Sequence, residues 1–376
     1  MRLPDFKLER YFARWEFRAD FLLCASDIEG WRLDELLALA DEECRALWAN
    51  LRLGYTESPG HPLLRQEITG LYDAVSAENV LCFAGAEEAI FALANVLLEP
   101  GTHAVVTWPA YQSLYEVARA TGAEVTLLPL DPAGWRLDPE ALRRAVRPST
   151  RLIVINFPHN PTGAQAERGT FLACLEIARQ AGCVLLSDEV YRFLEFDPGQ
   201  RLPAAVDVSA NGISLGVMSK AFGLAGLRIG WIATRDSDLL RRAASFKDYT
   251  TICNSAPSEI LALIALRARE TVLARNRELV AENLAHLDRF FAGHGDLISW
   301  VRPRAGSVAF PKLSPDLPAE EFCRDLLEKE GVLLLPGSAF EYPGEHFRIG
   351  FGRKNLPDAL SRLERFIETG ARRLGS

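Results

Sequence analysis

The stretch Val217-Met218-Ser219-Lys220-Ala221-Phe222-Gly223-Leu224-Ala225-Gly226-Leu227-Arg228-Ile229-Gly230 carries the strongest signal in the chain. Lysine is scarce here. Lys and Arg total 42, and only Lys7, Lys220, Lys247, Lys312, Lys329 and Lys354 are lysines. Arginine serves wherever a plain positive charge is enough. A lysine behind an apolar run, followed by glycines and an arginine, points to a nucleophilic amine, because an amine forms a Schiff base and a guanidinium does not. A surface lysine is the ordinary alternative. The apolar Val217 and Met218 before it argue against that reading.

Working outward, the run 213–217 is one of seven strand-like apolar segments. The others are 80–83, 104–107, 124–128, 152–156, 184–187 and 229–233. Helical spacing fills the gaps at 87–98, 112–121 and 170–181, and also covers 33–51 and 271–291. Strand–helix alternation predicts an α/β fold: a large domain with a mostly parallel seven-stranded sheet flanked by helices. The last hundred residues mix short strands (308–310, 332–335, 347–350) with helices. They predict a smaller α+β domain, completed by an aromatic N-terminal arm carrying Tyr11, Phe12, Trp15, Phe17 and Phe21. The expected division is 1–40 for the arm and start of the small domain, 41–270 for the large domain and 271–376 for the small one.

With 376 residues, the chain exceeds one small core and suits two domains. Its formal charge of −8 argues against a nucleic-acid partner, which calls for a basic surface. Mean hydropathy is +0.01, and no apolar run reaches the ~20 residues of a membrane span. The seven cysteines are scattered without a C-x-x-C pair. That pattern fits reduced thiols in a cytoplasmic protein with no structural metal.

Open α/β sheets bind ligands beyond the carboxyl ends of their strands, and polar residues recur at that position. Gly85-Ala86-Glu87 follows the first strand. Tyr111 follows the second. Asn160 lies after 152–156, in Asn156-Phe157-Pro158-His159-Asn160-Pro161-Thr162-Gly163. Asp188 ends 184–187, with Tyr191 close behind, and Lys220 and Arg228 come last. With Asn-Pro-Thr-Gly at 160–163, Asp-Glu-Val-Tyr at 188–191, Ser-Lys at 219–220 and Gly-Leu-Arg-Ile-Gly at 226–230, the chain resembles the class I/II aminotransferases of the aspartate aminotransferase type. These are fold-type I enzymes dependent on pyridoxal 5′-phosphate. The resemblance runs from about Tyr55 to Arg348.

The resemblance implies a role for each of these residues. Lys220 would be the Schiff-base lysine and proton shuttle. Asp188 would keep the pyridine nitrogen protonated. Tyr191 and Asn160 would bond the ring's phenolic oxygen, and Tyr111 would stack on the ring. The phosphate would be held by the helix start at Ala86 and Glu87, by Ser219 and by Arg228. Tyr55 would reach the phosphate of the neighbouring subunit in a homodimer. Arg348 would hold the substrate carboxylate, with Gly30 and Asn160 beside it.

Two positions depart from the family pattern. Val217 stands where many members have serine. Glu87 stands where a hydroxyl or amide is common, so only its backbone N–H is expected to face the phosphate. The side-chain pocket is left open among Trp15, Asp27, Gly30, Trp108, Lys247, Asp248, Tyr249 and Ser307. The leading expectation is a ping-pong aminotransferase acting on an amino acid and a 2-oxo acid. A C–S lyase, cyclase or oxidase on the same fold is the alternative, and a non-catalytic pyridoxal-phosphate-binding regulator a remote one.

Overall fold

A computed structural model describes residues 2–374. Seven strands form the central sheet: β1 (Val80–Phe83), β2 (His103–Trp108), β3 (Glu124–Pro129), β4 (Thr150–Asn156), β5 (Val184–Asp188), β6 (Gly212–Val217) and β7 (Gly230–Thr234). Their order is β1-β7-β6-β5-β4-β2-β3. β7 runs antiparallel to both neighbours, and the remaining pairs are parallel. The apolar runs of β5, β6 and β7 follow from burial on both faces, which removes any polar alternation. β3, at one edge, is half exposed. β1, at the other, is buried beneath the helices Pro62–Thr69 and Ser237–Lys247.

The helical stretch expected over 33–51 is two helices, Leu33–Ala38 and Glu42–Ala49. Asp41 makes the break. Its side chain accepts from the Cys44 N–H at 2.7 Å and so starts a new helix. The expected strand 332–335 shrinks to Leu335–Pro336, while Val332 forms a lone bridge to Phe21. The smaller sheets are antiparallel. One joins Leu335–Pro336, Phe347–Gly350 and Val308–Ala309, with Phe347–Gly350 central. The other pairs Ile298–Ser299 with Lys312–Leu313.

The N-terminal arm is ordered by packing. Its helix, Lys7–Trp15, buries Leu8. The Tyr11 hydroxyl donates to Leu334 O at 2.8 Å, and Phe6 lies 5.1 Å from the Tyr111 ring. Beyond this helix, Gly350 N–H donates to Leu23 O at 2.9 Å. A Cβ on Gly350 would stand 1.9 Å from Ala25 O, so only glycine lets segment 23–26 lie this close. Gly350→Ala is expected to cost about 2 kcal/mol by overpacking, read as a lowered thermal midpoint. An unchanged midpoint would show that the segment yields freely.

Candidate active site

At the carboxyl ends of the parallel strands lies a cavity of about 400 Å³. It is lined on the sheet side by Ala86, Glu87, Tyr111, Asn160, Asp188, Tyr191, Ser219, Lys220 and Arg228, and Arg348 comes in from Phe347–Gly350. Residues from distant parts of the sequence thus meet in one space. Gly30 and Tyr55 do not line it. Gly30 is exposed beside the Gly223 backbone, and Tyr55 is 89 % exposed.

Lys220 is half-buried. Its Nζ donates to Ser26 Oγ at 2.8 Å and lies over the Tyr191 ring. Burial pulls its pKa down to about 8, opposed by the Asp27 charge. The lowered value makes the neutral, nucleophilic amine abundant above about pH 8 and scarce below it. Cofactor uptake by the apoprotein is therefore expected to quicken about tenfold per pH unit up to about 8 and then level off. Absorbance-monitored reconstitution checks this. A rate still climbing near the ordinary lysine value would contradict the burial argument.

Asp188 closes β5. Burial pushes its pKa up to about 7, against the pull of the Val190 N–H and of Lys220. The Val190 N–H meets Oδ1 at 3.3 Å. Next to it, Asn156 at the end of β4 donates from Nδ2 to Asp188 O at 3.0 Å and accepts the Asn160 N–H at 2.8 Å. This fixes the turn that carries Asn160. Arg348 then donates from Nη1 to Asn160 Oδ1 at 3.2 Å. That contact assigns the carboxamide oxygen and leaves the Asn160 NH₂ group as a donor for a ligand. Tyr191 is buried, and its hydroxyl donates to Ser26 O at 2.9 Å.

Arg348 is 1 % exposed. Its Nε and Nη2 donate to Cys24 O at 3.1 and 2.9 Å. Among the described residues, no carboxylate lies within ion-pair distance of it. Burial lowers its pKa. A buried guanidinium without an anion is costly unless a ligand supplies one.

On the opposite wall, the helix Ala86–Leu97 begins at Gly85, which has φ 89° and no side-chain cap. Its first N–H groups are open to an anion. A Cβ on Gly85 would come within 2.5 Å of Arg228 Nη2, so glycine is what admits the guanidinium. Arg228 itself has φ 53°, a strained setting for a non-glycine residue that recurs at ligand clamps. Its Nη1 donates to Ser219 Oγ at 3.5 Å. Glu87 lines the cavity, and burial raises its pKa. A raised pKa weakens the repulsion expected if this side chain faced a phosphate.

The N-terminal contribution was not legible beforehand. Glu9, Phe12, Glu16, Ser26 and Asp27 line the cavity, yet only Asp27 stood among the pocket candidates. Ser26 is the hub: it accepts from Lys220, Tyr191 and, at 3.0 Å, from Ser307 Oγ. Nothing in its local sequence marks it. Of the other pocket candidates, Trp15, Trp108, Lys247, Asp248, Tyr249 and Ser307 are not in the lining. Trp108 packs on Tyr342 at 4.7 Å, and Lys247 donates to Ser58 O from a buried position.

These side chains fit pyridoxal 5′-phosphate. The cavity offers an anion cradle at Gly85, Ser219 and Arg228, an aromatic face at Tyr111, a buried carboxylate at Asp188 and a half-buried amine at Lys220. The comparisons with known proteins agree. The capreomycidine synthase of Streptomyces vinaceus is 30 % identical over 375 residues, 98 % of this chain and 95 % of that protein. A probable N-succinyldiaminopimelate aminotransferase of Mycobacterium tuberculosis is 34 % identical over 299 residues, 76 % of this chain and 74 % of the relative. The crystal structure of a PLP-dependent aminotransferase from Streptococcus suis superposes with a TM-score of 0.92 at 35 % identity, covering 98 % of this chain and 99 % of that one. The family model for aminotransferase class I and II matches residues 21–363. The chain therefore belongs to the class I and II aminotransferases, enzymes that work with pyridoxal 5′-phosphate.

Proposed function

We propose that the protein moves an amino group from an L-amino acid to a 2-oxo acid by a ping-pong route. The observation that carries this reading is the half-buried Lys220 amine, with its pKa lowered to about 8, facing the same cavity as Asp188, Arg228 and Arg348. The bound cofactor supplies an electron sink for the bond to the substrate's Cα hydrogen. Lys220 holds the cofactor and carries the proton to and from Cα. Asp188 keeps a proton on the ring nitrogen. Asn160 and Tyr191 orient the ring's oxygen, and Tyr111 covers its face. Arg228, Ser219 and the amides of Ala86 and Glu87 bind the phosphate. Arg348 takes the substrate's α-carboxylate, which provides the anion its burial lacks.

The assembly that goes with this reading is a homodimer in which Tyr55 reaches the neighbouring site. Tyr55 (89 % exposed), Leu53 (86 %) and Tyr249 (91 %) support it. The two segments are tied together by Thr56 Oγ1 donating to Asn254 O at 3.1 Å. The proposed domain division stays at about residues 40 and 270.

A cyclase or lyase chemistry is the second reading. It is favoured by the 30 % identity to a capreomycidine synthase along nearly the whole chain. Stoichiometry separates the two. Mixed with an amino donor and no acceptor, a transaminase releases one 2-oxo acid per active site and stops. Continued turnover without acceptor, with ammonia or a ring-closed product appearing, would overturn the transaminase reading.

A further inference from the structure

The charges lining the cavity are unequal, and their distribution points to the donor's side chain. This step rests on the reading of the cavity as an amino-acid site. The lining cations are Lys220, Arg228 and Arg348. The proposed function uses all three, for the cofactor, its phosphate and the α-carboxylate. Of the lining acids, Glu87 and Asp188 lie on the cofactor side. Glu9, Glu16 and Asp27 come from the N-terminal arm, and nothing in the transamination scheme employs them.

These three are only partly compensated. Asp27 pairs with Arg353 at 2.8 Å. Glu9 accepts from the Tyr111 hydroxyl at 3.3 Å. Among the described residues, the Glu16 carboxylate has no ion-pair or hydrogen-bond partner. Burial raises its pKa, and the nearby charges of Asp27 and Glu9 add to the rise. A second, independent feature lies in the same cavity: Arg348, wholly buried and without an anion among the described residues. One wall thus calls for a carboxylate, and the arm side calls for a cation. A donor with a second carboxylate would meet three acids and no free cation.

We propose that the amino donor is a basic L-amino acid whose guanidinium or ammonium group sits against Glu16, with Asp27 and Glu9 beside it. Glu16, Asp27 and Glu9 are then the specificity-determining residues. A charge-assisted hydrogen bond from a cationic side chain to Glu16 replaces the repulsion among the three carboxylates.

The test compares isosteres on the holoenzyme. L-Arginine and L-citrulline differ by a charged guanidinium against a neutral urea group. The kcat/KM for 2-oxo acid release is expected to favour arginine by at least about tenfold. Independently of turnover, 5-guanidinopentanoate should bind at least about tenfold tighter than 5-ureidopentanoate by calorimetry. Neither acid has an α-amine, so this measurement does not depend on catalysis. Glu16→Gln should move both ratios toward unity, with retained cofactor absorbance reporting an intact fold. Equal use of arginine and citrulline, or a preference for L-aspartate, overturns the proposal. Unchanged ratios in Glu16→Gln overturn the assignment to Glu16. If no amino acid of any class releases a 2-oxo acid while calorimetry still prefers the guanidino acid, it is the transaminase reading that fails and the charge preference that stands.

Discussion

Lys220→Ala is expected to lower kcat by at least about 10³-fold with any donor, because it removes both the attachment point and the group that moves the Cα proton. Proton transfer by a positioned side chain accounts for roughly 10²–10⁴ on its own. The variant should still fold. The methylene chain it deletes leaves a polar cavity that water can fill, and Ser26 Oγ loses only the contact with Nζ. The cofactor, held by the phosphate cradle alone, should wash out on dialysis and lose the absorbance it shows when bound to the lysine. A Lys220→Ala protein that kept that absorbance and turned over at the parent rate would end the central assignment.

Asp188→Asn is the second large effect. An amide cannot keep a proton on the ring nitrogen, because it offers no charge. The wild-type carboxyl, its pKa raised to about 7 by burial, gains a strong reason to ionise once a protonated ring faces it. An opposite charge at about 4 Å is worth about 4 kcal/mol at an effective dielectric near 20, which corresponds to a rate loss of about 10³. The substitution is nearly isosteric, so folding should survive. Kinetics with a single donor, read alongside cofactor affinity, checks this. A loss confined to cofactor affinity, with kcat intact at saturation, would make Asp188 a binding group and not one that sustains the reaction.

The pH dependence of the two groups can be separated. Both shifts are dominated by burial, yet they act in opposite senses. Asp188 shifts upward and favours its neutral acid below about 7. Lys220 shifts downward and favours its neutral amine above about 8. In the cofactor-free protein, both groups are mostly charged only between these values. In Asp188→Asn, the Lys220 value should therefore fall further, since one of the charges raising it is gone.

The sequence alone determined the sheet and most of the cavity. All seven strands were legible to within a residue or two; the central ones, buried on both faces, read as unbroken apolar runs, while β3 at the edge is half exposed. Lys220, Asp188, Asn160, Tyr191 and Arg228 were legible because each stands in a short local motif at a strand end or turn. Local chemistry also explains the main error in the helices: Asp41 caps a new helix within what reads as one apolar period.

Tertiary structure alone decided what the arm does. Glu9, Glu16, Ser26 and Asp27 reach the cavity because Tyr11 bonds Leu334, Phe6 packs on Tyr111 and segment 23–26 lies against Gly350. These contacts span from about one hundred to more than three hundred residues of sequence, and no local pattern encodes them. The chemistry proposed for the Lys220 amine is therefore written in its own segment. The charge on the arm side of the cavity is set by a segment distant in sequence, and only packing brings that segment there.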